Sequence, residues 1–233
     1  MKLKINNKIF DNNPGLQIGI VVVKGINNKG SHPDTKTMMK NIQEHVKSNN
    51  QSETLSENSK IASWRSAYKN FGAKPKKYKS SVETLYKMTL KGITLNPINK
   101  VVDIYNFISL KHMMPVGGDD IDNVDGDIEL TYAQGDENFT RLNTDEVTNP
   151  KKGEVIYKDD KELLCRRWNW SECDKTKMTQ DTKNVCLVIE ALPPVTTKEL
   201  NDAINELAML ITEYCGGEST VQILNLEKSK ITV

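Results

Sequence analysis

Cys165-Arg166-Arg167-Trp168-Asn169-Trp170 is the stretch whose residue types are best suited to chemistry. Lysine supplies almost all the positive charge. The only arginines are Arg65, Arg141, Arg166 and Arg167, and two of the three tryptophans fall inside these six residues. A guanidinium is a rigid fork that matches phosphate or carboxylate oxygens two at a time and stacks on aromatic faces. An arginine pair beside two indoles therefore points to recognition of an anion by geometry rather than by charge alone. The competing reading is structural: a strand whose tryptophans pack inward while the arginine stems lie along the surface.

Other residues offer weaker chemistry. Lys74, Lys76, Lys77 and Lys79 surround Tyr78 in a basic turn. Such a turn can grip a phosphate backbone by charge and stacking, and it can equally be a solvated lysine run. Gly117-Gly118-Asp119-Asp120 leads into Asp122, Asp125 and Asp127. Counted from Asp120, an EF-hand loop meets Val124 at a ligand position and Asp125 where glycine belongs, so an acidic surface turn is expected instead. His112 closes an apolar helical face and reads as a satisfied helix-end histidine. Asp103 and Glu190 are candidates to face inward, but their spacing does not make them an acid/base pair. No phosphate-binding loop, dinucleotide fingerprint, nucleophile elbow or zinc-protease motif is present.

Composition narrows the classes. A chain of 233 residues can bury roughly 70% of its unfolded surface. A net charge of +1 provides no global field to draw it onto nucleic acid or membrane, so any such contact must come from a local patch. Cys165, Cys173, Cys186 and Cys215 show no CxxC spacing, and the three histidines form no ligand motif. No metal or cofactor is expected. Without an apolar leader or an 18-residue apolar run, a soluble protein of a reducing cytoplasm is expected.

The elements that must position these residues follow from periodicity. Leu3 to Ile9 and Leu16 to Val23 read as a pair of strands around the turn Asp11 to Gly15. Asp34 caps a helix through Val46, and polar residues 47–60 read as a loop. A helix carries Ile61, Trp64, Tyr68 and Phe71 up to Gly72. Ser80 and Glu83 form a capping box for a helix to Gly92. Asn96-Pro97 opens the next helix, which Pro115 and Gly117-Gly118 end. Strands are then predicted at 128–133, 139–142, 154–157, 163–170 and 184–192. A boxed helix from Thr196 to Gly216-Gly217 and a last strand through Val221, Ile223 and Leu226 complete the chain. Helices come early and strands late, which predicts an α+β fold: an N-terminal strand pair, a helical cluster, a mixed or antiparallel sheet and a C-terminal helix.

Three blocks together carry a family resemblance. They are Trp64-Arg65-Ser66-Ala67-Tyr68 with Phe71 to Pro75 and Ser80 to Glu83; Asn99 to Asn106; and Cys165 to Trp170 continuing through Thr182, Asn184 and Val185. In this order they resemble stand-alone proteins similar to the B3/B4 tRNA-editing domain of the phenylalanyl-tRNA synthetase beta subunit. The resemblance covers about residues 15–217 and implies one such module over 1–233. In the synthetase the module hydrolyses the ester joining a wrongly attached tyrosine to the tRNA end. That implies an ester pocket beside a basic surface, with no metal or covalent nucleophile. Placement of water and the ribose hydroxyl then supplies most of the rate.

Carried over residue by residue, the resemblance is mixed. Asp103 and Asn106 match, whereas Tyr105 stands where the family has threonine. Pro115, Val116, Gly117 and Gly118 replace a Pro-Met-His-Ala segment, so the pocket histidine is absent. Arg166 to Trp170 fill a glycine-rich strand, and the family's pocket glutamate aligns near Val188 or Glu190. The implied catalytic residues are Asn106, Arg167, Asn169 and Glu190. Substrate is assigned to Tyr105, Gly117, Gly118, Arg166 and Trp168, and tRNA to Lys74, Lys76, Lys77 and Lys79. The exchange of glycine for Arg and Trp predicts loss of tyrosyl discrimination. A smaller or anionic group, held by Arg166 or Arg167 with Asn169 and Asn106 nearby, is expected in its place. Three functions follow: a trans-acting deacylase of mischarged aminoacyl-tRNA, a non-catalytic module that binds tRNA or a small ligand, and a protein holding a free amino acid or other small anion.

Overall fold

Two β-sheets share out the long strands, and a computed structural model describes all of residues 1–233. The N-terminal half runs β1 (Lys2–Ile5), α1 (Asn7–Asn12), β2 (Gln17–Lys24), α2 (Pro33–Asn49), α3 (Ser59–Asn70), α4 (Ser81–Leu90) and α5 (Lys100–His112). Next come β3 (Val116–Asp120), β4 (Ile128–Tyr132), β5 (Phe139–Thr140), β6 (Val147–Thr148), β7 (Val155–Lys158), β8 (Leu163–Arg166) and β9 (Ser171–Glu172). The chain closes with β10 (Asn184–Ala191), α6 (Thr197–Cys215), β11 (Glu218–Leu224) and β12 (Lys230–Thr232). One sheet has the order β12-β1-β4-β7-β8-β9, the other β11-β2-β10-β3, and β5 and β6 form a small ribbon. The fold is α+β, as the order of elements in the sequence predicts.

The four-stranded sheet is built on two strands that neighbours cover from both sides. Ile18 to Val23 are all buried because β2 lies between β10 and β11, with α6 across one face. Gly19 marks the closest approach: a Cβ there would stand 2.3 Å from Ile204 Cγ2 on α6. The α6 stripe of Leu200, Ile204, Leu207 and Ile211 supplies the inner surface. At its start the Thr196 hydroxyl accepts the Glu199 N–H while the Glu199 carboxylate accepts the Thr196 N–H, so the predicted capping box is complete.

Several sequence expectations are corrected. β1 and β2 are not a hairpin: they belong to different sheets, and α1 separates them, started by Asn6, whose side chain accepts the Lys8 N–H. Residues 47–60 are largely ordered, with α2 reaching Asn49, a 3₁₀ turn at Leu55–Glu57 and Asn58 capping α3. Polar side chains that suggested a loop serve here as caps. α5 begins after Asn99 rather than Asn96, since the Asn99 side chain accepts the Val102 N–H and Asp103 takes that of Ile98. The Ser80 hydroxyl accepts the Glu83 N–H, but the Glu83 carboxylate turns to Arg65 at 2.8 Å instead of closing a box. The last predicted strand stops at Leu224, and β12 follows it, unpredicted.

Two corrections bear on function. Gly117 and Gly118 do not end a helix; Met113, in the left-handed conformation, ends α5, and the glycines lie inside β3. There β3 presses so close to β10 that a Cβ on Gly118 would sit 2.3 Å from the Cys186 carbonyl oxygen. The predicted strand 163–170 stops at Arg166, because Arg167 and Trp168 both take positive φ (47° and 68°) and reverse the chain into β9. Left-handed backbone costs about 1–2 kcal/mol per non-glycine residue. It is held by the Trp168 N–H on the Val155 carbonyl and by the fully buried Trp168 ring, edge-on to Trp64 at 5.0 Å.

Candidate active site between the two sheets

A narrow cavity lies between the sheets. Gly117 to Asp119 on β3 and Cys186, Val188 and Glu190 on β10 form one wall. The other wall is Tyr157 on β7, Cys165 on β8, Glu172 on β9, and Trp168 and Asn169 in the left-handed turn, with Ser81 of α4 at the rim. About 20 Å³ inside is open to the centre of a water-sized molecule, room for about one water.

Glu190 is the focus of the hydrogen bonding. Its side chain is only 1% exposed. The Tyr157 hydroxyl donates to Oε1 at 2.7 Å and the Asn169 amide donates to Oε2 at 2.5 Å. Asn169 is oriented in turn by the Tyr68 hydroxyl of α3, which donates to its Oδ1 at 2.8 Å. Tyr68, Asn169, Glu190 and Tyr157 thus form a continuous buried chain. Burial pushes the Glu190 carboxyl up to about 7, and its neutral donors only partly offset the loss of water. The Trp168 indole N–H also favours the charged form, yet makes no hydrogen bond of normal geometry.

Two further carboxylates share the cavity. Burial, with the like charges of Asp119 and Glu190, holds the Glu172 carboxyl well above its usual range. Burial also raises Asp119, although the Thr176 hydroxyl donates to it. Gly117 leaves Glu172 its space, since a Cβ there would stand 3.1 Å from Oε1. No lysine or arginine lines this cavity. No three acidic, histidine or cysteine side chains are gathered in a way that could hold a metal ion.

The arginine pair lies on the other side of the turn. Arg166 donates from Nε and Nη2 to the two Glu154 oxygens at 2.9 and 3.1 Å, a bidentate pair, and Arg167 Nη2 stands 3.4 Å from Oε2. Both guanidiniums and Glu154 are buried. Arg167 is also stacked between Tyr78, 3.8 Å from the ring centroid, and Trp170 at 4.5 Å. The Arg166 fork is therefore already taken by a carboxylate from the preceding strand region, while Arg167 is held by stacking and one longer contact.

Of the residues assigned from sequence, Gly117, Gly118, Trp168, Asn169 and Glu190 meet at the cavity. Tyr105 sits near its acidic side, where burial, then Glu172, Asp103 and Asp119, push its phenol up. Asn106 does not join them; it lines a groove between α2 and α5 with Asp103, Lys36 and Lys40. Arg167 faces a third depression of about 190 Å³, shared with Lys74, Lys77, Lys151 and Tyr78. Lys76 is exposed beside it, and Lys79 bends back to donate to the Lys76 carbonyl. His112 is satisfied by Glu206 at 2.7 Å. Asp120, proposed as part of an acidic turn, accepts the Thr182 hydroxyl and the Asp122 N–H.

Sequence reasoning missed Ser81, Asp119, Tyr157 and Glu172 as cavity residues. Their juxtaposition depends on strand registers, Gly117 opposite Val188 and Cys165 opposite Glu172, that no spacing along the chain encodes.

The chain is similar in part to known proteins. The "Phenylalanine--tRNA ligase beta subunit" of Fusobacterium nucleatum subsp. nucleatum is 26% identical over 141 residues, covering 60% of this chain. The chain spans only 17% of that relative's length. An N-terminal fragment of the phenylalanyl-tRNA synthetase beta-subunit from Pyrococcus horikoshii superposes with a TM-score of 0.48 at 16% identity, over 93% of this chain and 49% of that one. The B3/4 domain family model matches residues 63–216. That span takes in the glycine-bearing β3, the left-handed turn and β10, all of which line the cavity, and the chain belongs to the B3/4 domain family.

Proposed function

We propose that this chain hydrolyses the ester joining an aminoacyl group to the end of a tRNA, acting in trans on mischarged species. One observation carries the reading: Glu190, fixed by Asn169 and Tyr157, faces a cavity that no cation lines, and burial pushes its carboxyl up to about 7. A general base works best with a pKa near the working pH. Glu190 takes a proton from a water as its oxygen attacks the ester carbonyl carbon. The bond to the ribose oxygen then breaks, and that oxygen receives the proton back from Glu190. The products are a free amino acid and a tRNA with a free terminal hydroxyl. Asn169 and Tyr157 hold the carboxylate, and Gly117 and Gly118 let β3 close the wall. Asn106 and Arg167 lie outside this arrangement and are given no catalytic role.

The basic depression supports the tRNA side of the reading. Arg167 adjoins Trp168 and Asn169 in the turn, so the cavity and the lysine-lined depression lie on opposite sides of one turn. Phosphates on Lys74, Lys76, Lys77 and Lys79 would place the RNA end beside the cavity. Both sheets wall that cavity, which is why we read residues 1–233 as one module. Incubation with a panel of misacylated tRNAs tests the proposal: ester loss above buffer is expected for at least one, and flat time courses throughout would remove it.

The narrowness of the cavity favours a second reading, a module that binds tRNA without turnover. Filter binding with steep salt dependence and no ester loss would establish it. A free acid held by Arg166 gains no support, since Glu154 takes its fork.

A further inference from the structure

Arg167 is a buried cation whose hydrogen-bonding capacity is unspent. Its side chain is only 8% exposed, yet of its nitrogens only the backbone N–H makes a hydrogen bond of normal geometry, to Glu154 Oε1 at 3.2 Å. Glu154, the one carboxylate beside the guanidinium, is full. Its oxygens already accept from Arg166 Nε and Nη2 and from the backbone N–H groups of Lys151 and Arg167. A carboxylate offers about four such positions, so none is left for a second guanidinium. Arg167 Nη2 accordingly stands off at 3.4 Å.

The guanidinium is nevertheless fixed in place. It sits in the corner of Tyr78 and Trp170, whose rings meet edge to face at 4.9 Å, and it lines the depression of about 190 Å³. Lys74, Lys77 and Lys151 line the same depression, all exposed and none in an ion pair. With Glu154 matched by Arg166, these three lysines and Arg167 are left uncompensated. The Tyr78 phenol feels the surplus: Lys77 first, then Arg167 and Lys151, draw it below its ordinary range. The hollow is far roomier than the cavity between the sheets, so a group of several heavy atoms enters without displacing a wall.

An arginine fork fits two oxygens of one carboxylate or phosphate. Charge decides between them. A carboxylate or a phosphodiester brings a single negative charge, whereas a phosphate monoester brings close to two near neutral pH. Uncompensated cations gathered on one hollow favour the larger charge. They also come from three separate segments: the basic turn, the stretch before β7 and the left-handed turn. Such cations converge on a point instead of following a strand of backbone.

We infer that this depression is a phosphate-monoester site, in which the Arg167 fork takes two oxygens of one terminal phosphate and Lys74, Lys77 and Lys151 balance the remaining charge. The 5′ end of an RNA and a free 5′-nucleotide both present that group. The assignment is independent of the ester chemistry, in which Arg167 has no part.

The full chain is titrated with an acceptor-stem RNA hairpin carrying a 5′-phosphate, with its 5′-hydroxyl twin, and with 5′-AMP, the methyl ester of 5′-AMP and adenosine. The 5′-phosphate should tighten binding by about tenfold in at least one of the two series, and methylation of the AMP phosphate should weaken binding by about fivefold. A preference confined to the hairpins assigns the site to an RNA end, and one confined to AMP assigns it to a free nucleotide. No preference in either series would overturn the site, and equal binding of AMP and its methyl ester would overturn the monoester. Arg167→Lys keeps the charge, loses the fork and should cut the phosphate preference by about fivefold. Lys151→Gln, at an exposed position, should cut it by about threefold. Lys152→Gln makes the same charge change at an exposed neighbour that lines a separate hollow with Tyr132, and should leave the preference intact. Equal losses in the two lysine variants would overturn the discrete site in favour of a general positive field. Ester loss is followed alongside: its absence with the phosphate preference retained removes the deacylase reading and upholds the site.

Discussion

Glu154 and Glu190 are both buried carboxylates, and they stand on opposite sides of one left-handed turn. Glu154 receives a bidentate guanidinium from Arg166 and a second cation from Arg167. Glu190 receives only neutral donors, from Asn169 and Tyr157. The first is a closed ion cluster, in which the Arg166 fork and the two Glu154 oxygens satisfy one another. The second keeps its charge uncompensated, and burial carries its carboxyl to about 7. Arg166, half of the arginine pair that is richest in chemical promise, is therefore structural here, and the less conspicuous carboxylates are available for chemistry.

The widest separation between the two sides should come from activity. Glu190→Gln removes the proposed base and is expected to reduce ester hydrolysis by about 10²–10⁴-fold with the fold intact, whereas substitutions in the Glu154 cluster should affect kcat only through stability. Stability should show the opposite order. Arg166→Met leaves Glu154 with the single, longer Arg167 contact and should cost about 3 kcal/mol in denaturant unfolding. The double variant Glu154→Gln/Arg166→Met should recover most of that loss. If Arg166→Met is neutral, the cluster is not the closed unit described.

A pH series sharpens the contrast. The folded Glu190 carboxyl lies at about 7 against 4.5 for an ordinary glutamate, so the unfolded chain gives up this proton first. Stability contributed by this group therefore falls as pH rises through 4.5 to 7 and levels off above. That interval corresponds to at most about 3 kcal/mol. Glu190→Gln should accordingly be more stable than the unaltered chain at pH 8 and equal to it near pH 4, as read from thermal melts. Smallest per residue is the effect of the lysines. Changing Lys74, Lys76, Lys77 and Lys79 to alanine should lower the log–log salt slope of tRNA binding by up to about 3, and Glu190→Gln should leave it unchanged.

Much of the fold could be read along the chain. The Thr196–Glu199 box, the apolar run Ile18 to Val23 and the stripe Ile61, Trp64 and Tyr68 each state their own local structure, because capping and periodicity act between near neighbours. The site was legible only in part. Trp168, Asn169 and Glu190 were recognised from family blocks, but the direction of Arg166 and Arg167 was set by Glu154, twelve and thirteen residues away on the neighbouring strand region. Glu172 gave no sign at all, and Asp119 showed only as part of an acidic turn. They become a site only when β3 pairs with β10 and β9 with β8 across the two sheets. Side-chain type and spacing tell which face a residue takes; the charges supplied by a paired strand decide whether it is spent in the structure or left free.

Carboxyl ¹³C NMR of the chain labelled at glutamate, with Glu190→Gln used to assign the Glu190 signal, tests the central claim most directly. The account predicts a Glu190 midpoint near 7. A Glu190 midpoint at or below 4.5 would mean that the cavity already neutralises its carboxylate, and would contradict the distinction on which the proposed chemistry rests.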